Sequence, residues 1–143
     1  MIQKYGQASW QGGLRDGQGQ VSTETGVLSN QSYDFAKRFG DQKGTNPEEL
    51  IGAAHASCFA MALSADLERA GLRAENIDAK CTVSLDMSSG APVISRVHVE
   101  VAARVPGASE DQFRQVVEGT KQNCPVSKVL SGGAQITMNA RLD

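Results

Sequence analysis

Cysteine is the residue type of this 143-residue chain that could carry out the most varied chemistry. Two of its three cysteines lie in environments that would change the reactivity of a thiol. Cys58 lies in an apolar run from Ile51 to Ala65, where burial would raise its pKa and leave it inert unless a cation is close. Cys124 directly precedes Pro125, which suits the first position of a helix. A thiol at a helix N-terminus gains thiolate stabilisation from free backbone N–H groups. The two thiols therefore differ in environment, and Cys58 needs a cation if it is to react.

Three side chains are candidates for that cation. Arg38 lies just ahead of the loop Gly40 to Asn46, which leads towards the apolar run, and Arg15 lies in a glycine-rich turn. Arginines are most often solvated surface residues, and a turn makes exposure the more common state for Arg15. His55 precedes Cys58 by one helical turn and lies on the same face. For His55 we favour the role of a core histidine satisfied by a backbone carbonyl.

The remaining candidates carry weaker signals. Cys81 lies on the apolar face of a predicted strand, where a cysteine usually packs as a small hydrophobe. Glu48 and Glu49 suit the positive end of a helix dipole. Glu48 precedes Cys58 by ten residues, which is roughly 15 Å along a helix axis. A site that used both would therefore lie between two copies of the chain whose helices pack antiparallel.

The element that must position Cys58 is a predicted helix between Asn46 and Gly71. Asn46 suits an N-cap, Pro47 suits the first helical position, and Gly71 suits a left-handed stop. Its apolar residues cover the whole circumference, which predicts burial on every side. The apolar run is too short to span a bilayer, which takes roughly 20 residues. One sheet can cover only one side of the helix, so we predict a homodimer in which two such helices share a core.

The rest of the pattern predicts a single α+β domain over residues 1–143. Ahead of the helix, the alternation and turn residues predict a three-stranded meander at Lys4–Trp10, Gln18–Leu28 and Tyr33–Phe39. After it, the pattern predicts a hairpin at Ile77–Met87 and Val93–Val105, a helix at Ser109–Lys121, a short helix from Pro125 and a last strand at Gln135–Leu142.

The amino-acid composition indicates a globular protein. Hydrophobic residues make up 40% and charged residues 21% of the chain, with a net charge of −2, as in ordinary globular proteins. The lack of a basic run predicts no nucleic-acid partner. The N-terminal segment MIQKYGQASW has no apolar signal region, which predicts a cytoplasmic location and no membrane partner. In a reducing compartment the cysteines would not form a disulfide framework.

Three segments together resemble a known family. They are TNPEELIGAAHASC from Thr45, GQVSTETGVL, and Asn123 to Ser127. They resemble the OsmC branch of the OsmC/Ohr hydroperoxide reductases, and the likeness runs from Trp10 to Leu142. The resemblance implies an intertwined α+β homodimer, with antiparallel sheets wrapped around a buried central helix from each chain and active sites at the dimer interface. It also implies reduction of organic hydroperoxides, and less efficiently of hydrogen peroxide, with two cysteines and neither metal nor other cofactor.

The resemblance also implies a role for each site residue. Cys58 matches the peroxidatic cysteine, Cys124 the resolving cysteine and Glu48 the glutamate of the motif. Arg38 matches the arginine of the OsmC branch, and Arg15 resembles that of the Ohr branch; we favour Arg38. The implied cycle passes through a Cys58 sulfenic acid and a Cys58–Cys124 disulfide, which an external dithiol of lipoyl type reduces. A wall favouring alkyl peroxides is predicted at Ile51, Phe59, Met61 and Leu63.

Two other functions stay open at this point. His55, Cys58 and Cys124 offer three soft ligands, which would suit a metal-binding protein. Alternatively, the chain is a non-catalytic stress or interaction protein whose thiols only pack, since most buried thiols are inert. In that case Cys58→Ser would leave peroxide consumption unchanged.

Overall fold

The computed structural model describes every residue from Met1 to Asp143 and divides them into two compact units. The first unit covers Met1–Leu50 and the second covers Ile51–Asp143. Each unit holds a three-stranded sheet, and helices accompany both. This mixture of elements confirms the predicted α+β class. The assignment of residues 1–143 to one domain stays a prediction.

An antiparallel meander forms the sheet of the first unit, as predicted. Its strands are β1 (Gly6–Gln11), β2 (Gln18–Thr23) and β3 (Gln31–Tyr33). The predicted third strand was wrong beyond Tyr33, because the chain there forms a short helix, α1 (Phe35–Phe39). The carboxylate of Asp34 accepts a hydrogen bond from the backbone N–H of Lys37 and so caps α1. This local cap outweighs a weak strand pattern.

The long helix α2 spans Pro47–Arg69 and has the predicted ends. The side-chain oxygen of Asn46 accepts from the N–H of Glu49 at 2.9 Å, and Gly71 has a φ of 78°. Within one chain, α2 buries a single stripe, whereas Met61 on another side is 79% exposed. Burial on every side would need a further partner, so the homodimer stays a prediction. The buried stripe consists of Gly52, His55, Phe59, Leu63 and Leu67.

By length and composition alone, α2 is able to cross a membrane. The sequence predicted that the apolar run from Ile51 to Ala65 is too short to span a bilayer. The whole helix is longer than this run and has 23 residues. The core helix of a globular protein passes the same test. Here Phe59, Leu63 and Leu67 belong to the hydrophobic core of the second unit, which accounts for their apolar character.

A second sheet with the order β4-β5-β6 forms the frame of the second unit. Strands β4 (Asn76–Asp86) and β5 (Val93–Arg104) make the predicted hairpin. Strand β6 (Gln135–Leu142) pairs with β5 in parallel, so this sheet is mixed and the prediction of purely antiparallel sheets was wrong here. The intervening helices α3 (Glu110–Asn123) and α4 (Pro125–Leu130) return the chain to the end of the sheet from which a parallel strand must start.

Tight packing fixes the thiol-bearing elements of the second unit. Gly52 brings α2 against β4, because a Cβ atom at this position would lie 2.8 Å from the carbonyl oxygen of Cys81. A capping box between Ser109 and Gln112 starts α3, and Pro125 starts α4 directly after Cys124. The core between these elements joins side chains of α2, β5 and α3, among them Phe59, Leu63, Val99, Val101, Phe113 and Val117.

Candidate active site

Cys58 and Cys124 meet in the second unit with their sulfur atoms 3.3 Å apart. Cys58 lies near the middle of α2, and Cys124 occupies the N-cap position of α4, as predicted. Both are free thiols, Cys124 buried and Cys58 half-buried. Because a disulfide bond is about 2.0 Å long, a small side-chain movement would join the two sulfurs. This geometry suits two cysteines that exchange a thiol pair for a disulfide.

The two thiols have pKa values shifted in opposite directions. Burial raises the pKa of Cys58, the N–H of Val126 opposes this, and Cys124 raises it further. Burial would also raise the pKa of Cys124, but the N–H of Ser127, the Cys58 thiol, the Ser127 hydroxyl and the N–H of Val126 together hold that pKa below its ordinary value. Within this unit a negative charge is therefore favoured on Cys124, and Cys58 lacks a cation.

His55 does not supply that cation. Its ring is fully buried, with Nε2 2.7 Å from Ser127 Oγ and Nδ1 3.2 Å from Cys81 Sγ. The predicted backbone carbonyl partner was wrong, because two side chains from distant segments fill that role. Burial lowers the pKa of His55 and keeps the ring neutral at pH 7. Burial, with the charge of Cys124, raises the pKa of Cys81 to about 11, so Cys81 stays a thiol.

Arg38 and Glu48 form an ion pair in the first unit. Arg38 Nη2 lies 2.9 Å from Glu48 Oε1, and Arg38 Nε lies 3.2 Å from the same oxygen and 3.4 Å from Oε2. The Glu48 side chain is only 12% exposed, whereas 36% of the Arg38 side chain faces solvent. Two-point contacts of this kind fix the guanidinium plane. The structure thus brings these two predicted residues together, while their catalytic roles stay predictions.

An aromatic cavity of about 300 Å³ adjoins Arg38 in the first unit. The guanidinium of Arg38 lies 5.1 Å from the ring centre of Phe39, on the cavity wall. Arg15 instead lies over Phe35 at 4.7 Å and is exposed, as predicted. Sequence reasoning missed this cavity because its walls come from separate segments, although three aromatics cluster in SYDFAKRF. The walls include Trp10, Leu14, Tyr33, Phe35 and Phe39.

Two predicted groupings do not form. Phe59 and Leu63 face the core of the second unit, whereas Met61 between them points away, so the predicted apolar wall on α2 was wrong. One turn of a helix takes 3.6 residues, so residues two positions apart point to different sides of the helix. The metal-ligand set of His55, Cys58 and Cys124 is likewise not assembled. No group of three or more histidine, cysteine or acidic side chains has the arrangement of metal ligands.

The family profile described as "OsmC-like protein" matches residues 40–139. This chain belongs to the OsmC-like family. Peroxiredoxin OsmC of Escherichia coli (strain K12) is 47% identical to it over 141 residues, which cover 99% of this chain and 97% of that protein. An organic hydroperoxide resistance protein-like 1 from Staphylococcus saprophyticus is 31% identical over 101 residues, or 68% of this chain and 70% of that protein. The predicted family is thereby confirmed.

Solved structures share the OsmC-like fold. The crystal structure of an organic hydroperoxide resistance protein from Elizabethkingia anophelis aligns with a TM-score of 0.77 at 23% identity, covering 100% of this chain and 98% of that one. An OsmC protein from Legionella pneumophila aligns with a TM-score of 0.73 at 22% identity, covering 99% and 98%. At these identities the likeness concerns the fold alone.

Proposed function

We propose that this chain reduces organic hydroperoxides to alcohols through a Cys58 sulfenic acid and a Cys58–Cys124 disulfide. It is a cysteine-based peroxidase of the OsmC-like family. The observation that supports the two-cysteine cycle is the 3.3 Å separation of the two sulfurs. The names peroxiredoxin and organic hydroperoxide resistance protein among its relatives support the substrate class. By the same resemblance, hydrogen peroxide is a poorer substrate.

Arg38 and Glu48 are assigned to the first step. Glu48 orients the guanidinium through two-point contacts, and Arg38 supplies the positive charge that stabilises the Cys58 thiolate. The thiolate attacks the distal oxygen of the hydroperoxide, an S–O bond forms and the O–O bond breaks. The leaving alkoxide takes a proton and becomes the alcohol. Cys58 is left as a sulfenic acid, oxidised by two electrons.

Cys124 carries out the second step. Its thiolate attacks the sulfur of the sulfenic acid, an S–S bond forms and the S–O bond breaks. The leaving hydroxide takes a proton and becomes water. A dithiol then reduces the disulfide by exchange, and the family resemblance favours one of lipoyl type. No step requires a metal or other cofactor.

The aromatic cavity beside Arg38 would hold the organic part of the substrate. It replaces the predicted wall on α2, since it places apolar rings next to the cation that binds the peroxide group. Burial of an alkyl or aryl group there contributes roughly 0.8 kcal/mol per CH₂. We therefore expect a higher kcat/KM for cumene hydroperoxide than for hydrogen peroxide. Equal values would contradict this use of the cavity.

The same proposal includes an oligomeric state, a location in the cell and a cellular role. A second copy of the chain would cover the exposed side of α2, where Met61 lies, and the resemblance implies active sites at that interface. A cytoplasmic location would keep the cysteines reduced between turnovers. Protection against oxidative or osmotic stress is the corresponding cellular role.

The decisive experiment is the intact mass and free-thiol count of the reduced protein before and after one equivalent of cumene hydroperoxide. We expect the loss of two hydrogens and two thiols, with a peptide joining Cys58 to Cys124 and Cys81 left free. Cys58→Ser should abolish both losses. An unchanged mass in the original protein would instead favour thiols that only pack, and with it a non-catalytic stress protein.

A further inference from the structure

A row of buried polar side chains leads from Cys81 to Cys124. Cys81 Sγ lies 3.2 Å from His55 Nδ1, and His55 Nε2 lies 2.7 Å from Ser127 Oγ. The Ser127 hydroxyl in turn contributes to stabilising the thiolate form of Cys124. His55 is 0% exposed, and Ser127 and Cys124 are each 1% exposed. The row connects β4, α2 and α4 without contact with solvent at its centre.

Every hydrogen bond in this row can form if each group donates to the next group on the way from Cys81 to Cys124. A thiolate on Cys124 accepts only, so the Ser127 hydroxyl must donate to it. Ser127 Oγ then accepts from Nε2–H of His55, which leaves Nδ1 as the acceptor of the neutral ring. Cys81 is a thiol and donates its S–H to Nδ1. No buried side-chain nitrogen or oxygen in the protein lacks a partner, in agreement with this order.

We propose that His55 and Ser127 are positioning residues of the resolving step, which orient one hydroxyl proton towards the sulfur of Cys124 beside Cys58. This inference rests on the proposed function, because the resolving step exists only if Cys58 becomes a sulfenic acid. The thiolate is the nucleophile that forms the S–S bond, while the S–O bond breaks and hydroxide leaves. The neutral ring of His55 fixes the direction of the Ser127 hydroxyl without bringing a second charge into the core.

The surroundings of Cys124 leave few other groups to set its charge. Cys58 of α2 contacts Cys124, the charge of Cys124 acts on Cys81 of β4, and neither thiol is a cation. Lys121 of α3 lines a cavity together with Ser127, but its ammonium group pairs with Glu118. Asp66 of α2 accepts from the hydroxyl of Thr120 at 2.6 Å and pairs with Arg69. The donors that favour the thiolate are therefore the start of α4, the Cys58 thiol and the Ser127 hydroxyl, of which the hydroxyl is the one His55 controls.

The test is a pH titration of thiolate absorbance in the full-length Cys58→Ser protein, so that Cys124 titrates without its redox partner and Cys81 titrates at higher pH. Ser127→Ala should raise the midpoint of Cys124 by about one pH unit, because hydrogen bonds to charged groups are among the stronger ones. Ser127→Thr keeps the hydroxyl and should restore the midpoint. Ser131→Ala removes an exposed hydroxyl from the end of the same helix and should not move it.

His55 is tested by variants that keep its size. His55→Leu should shift the midpoint of Cys124 in the same direction as Ser127→Ala, by a smaller amount, and His55→Gln, which retains a donor, should shift it less than His55→Leu. If His55→Leu does not fold, the comparison of Ser127→Ala with Ser127→Thr still tests the proposal. An unchanged midpoint in Ser127→Ala would overturn the proposal.

The same variants in protein with Cys58 intact separate the two steps. After one equivalent of cumene hydroperoxide, Ser127→Ala should release alcohol no more slowly than the original protein, because a less anionic Cys124 raises the pKa of Cys58 less. It should form the disulfide about tenfold more slowly at pH 7, with a sulfenic acid trapped by dimedone. A disulfide formed at the original rate would overturn the positioning role. If the unaltered protein releases no alcohol and forms no disulfide, the proposed function fails, whereas the thiolate titration still decides whether the hydrogen-bonded row acts on Cys124.

Discussion

At the residue scale, the charge that Cys58 needs is the central question. Burial raises its pKa, and the groups in its own unit that act on it are an N–H of Val126 and the thiol of Cys124. Arg38 is the candidate because Glu48 holds its guanidinium in a fixed plane beside an apolar cavity. Arg15 also contacts an aromatic ring but has no such carboxylate partner among its contacts.

Replacing Arg38 by Ala should slow the reduction of cumene hydroperoxide by about a hundredfold to a thousandfold, the usual cost of losing one preorganised charge donor. The measurement is the pre-steady-state rate of alcohol release, together with the midpoint of Cys58 alkylation against pH, which should rise. Arg15→Ala is the matched control, since this arginine also lies over a phenylalanine ring, and it should change neither value. The reverse pattern would move the site to the turn between Gly12 and Gly17.

The neutral, buried His55 predicts acid sensitivity of the fold. Its pKa is lowered by burial in the folded state, so the unfolded chain binds more protons below the ordinary histidine value of about 6.5. The free energy of unfolding should therefore fall as the pH drops below about 6.5, with a slope of up to about 1.4 kcal/mol per pH unit.

Urea denaturation between pH 5 and pH 8, roughly the window around the histidine pKa, measures this effect. His55→Asn should flatten the acid limb of the stability curve, whereas His98→Asn, the other histidine of the chain, should retain it. An equal slope in the protein and in His55→Asn would show that other groups cause the acid loss.

At the element scale, α2 packs closely on β4 at Gly52. The backbone of Gly52 lies so near the carbonyl oxygen of Cys81 that a side chain cannot be added without a shift of one element. Gly119 in α3 is a second helical glycine, and a Cβ atom there would meet nothing within 4 Å. A comparison of alanine substitutions at Gly52 and Gly119 therefore distinguishes the effect of helix propensity from the effect of packing.

Gly119→Ala should stabilise the protein by about 0.5–1 kcal/mol, because alanine is the better helix former. Gly52→Ala should destabilise it by about 1–3 kcal/mol despite the same gain in propensity, since overpacking a close contact strains the core. Urea midpoints of the two variants give the comparison. A stabilising effect at Gly52 would show that α2 and β4 can separate freely at this point.

At the scale of the whole molecule, one side of α2 remains open in the single chain. Its buried stripe packs into the core of the second unit, while Met61 on another side is 79% exposed. An apolar helix face of this kind is stabilised when a second apolar surface covers it. A second copy of the chain is the partner that the sequence predicts.

Sedimentation at micromolar concentration should give twice the chain mass of 15.1 kDa. Met61→Glu should shift the protein towards monomer, because burying an unpaired charge at an interface is strongly unfavourable. Met61→Leu keeps the face apolar and should retain the dimer. A monomer in the unaltered protein would remove the dimer and any shared active site from the proposed function.

Local signals in the sequence were sufficient for much of the fold. Asn46 and Gly71 at the ends of α2, the Ser109 capping box and Pro125 after Cys124 all act on backbone groups within a few residues. Such interactions are encoded by neighbours in the chain, so helix limits and the position of Cys124 could be predicted. The short helix α1 is the exception, because its cap at Asp34 lies beside a segment with a weak strand pattern.

Contacts between distant segments needed the tertiary structure. Cys58 and Cys124 are 66 positions apart, and only the packing of α2 against α4 brings their sulfurs to 3.3 Å. The side-chain partners of His55 and the parallel pairing of β6 arise in the same way. Residue types alone establish which positions carry thiols, charges and capping side chains. Packing decided which of them meet, because burial and hydrogen bonding act through space and not along the chain.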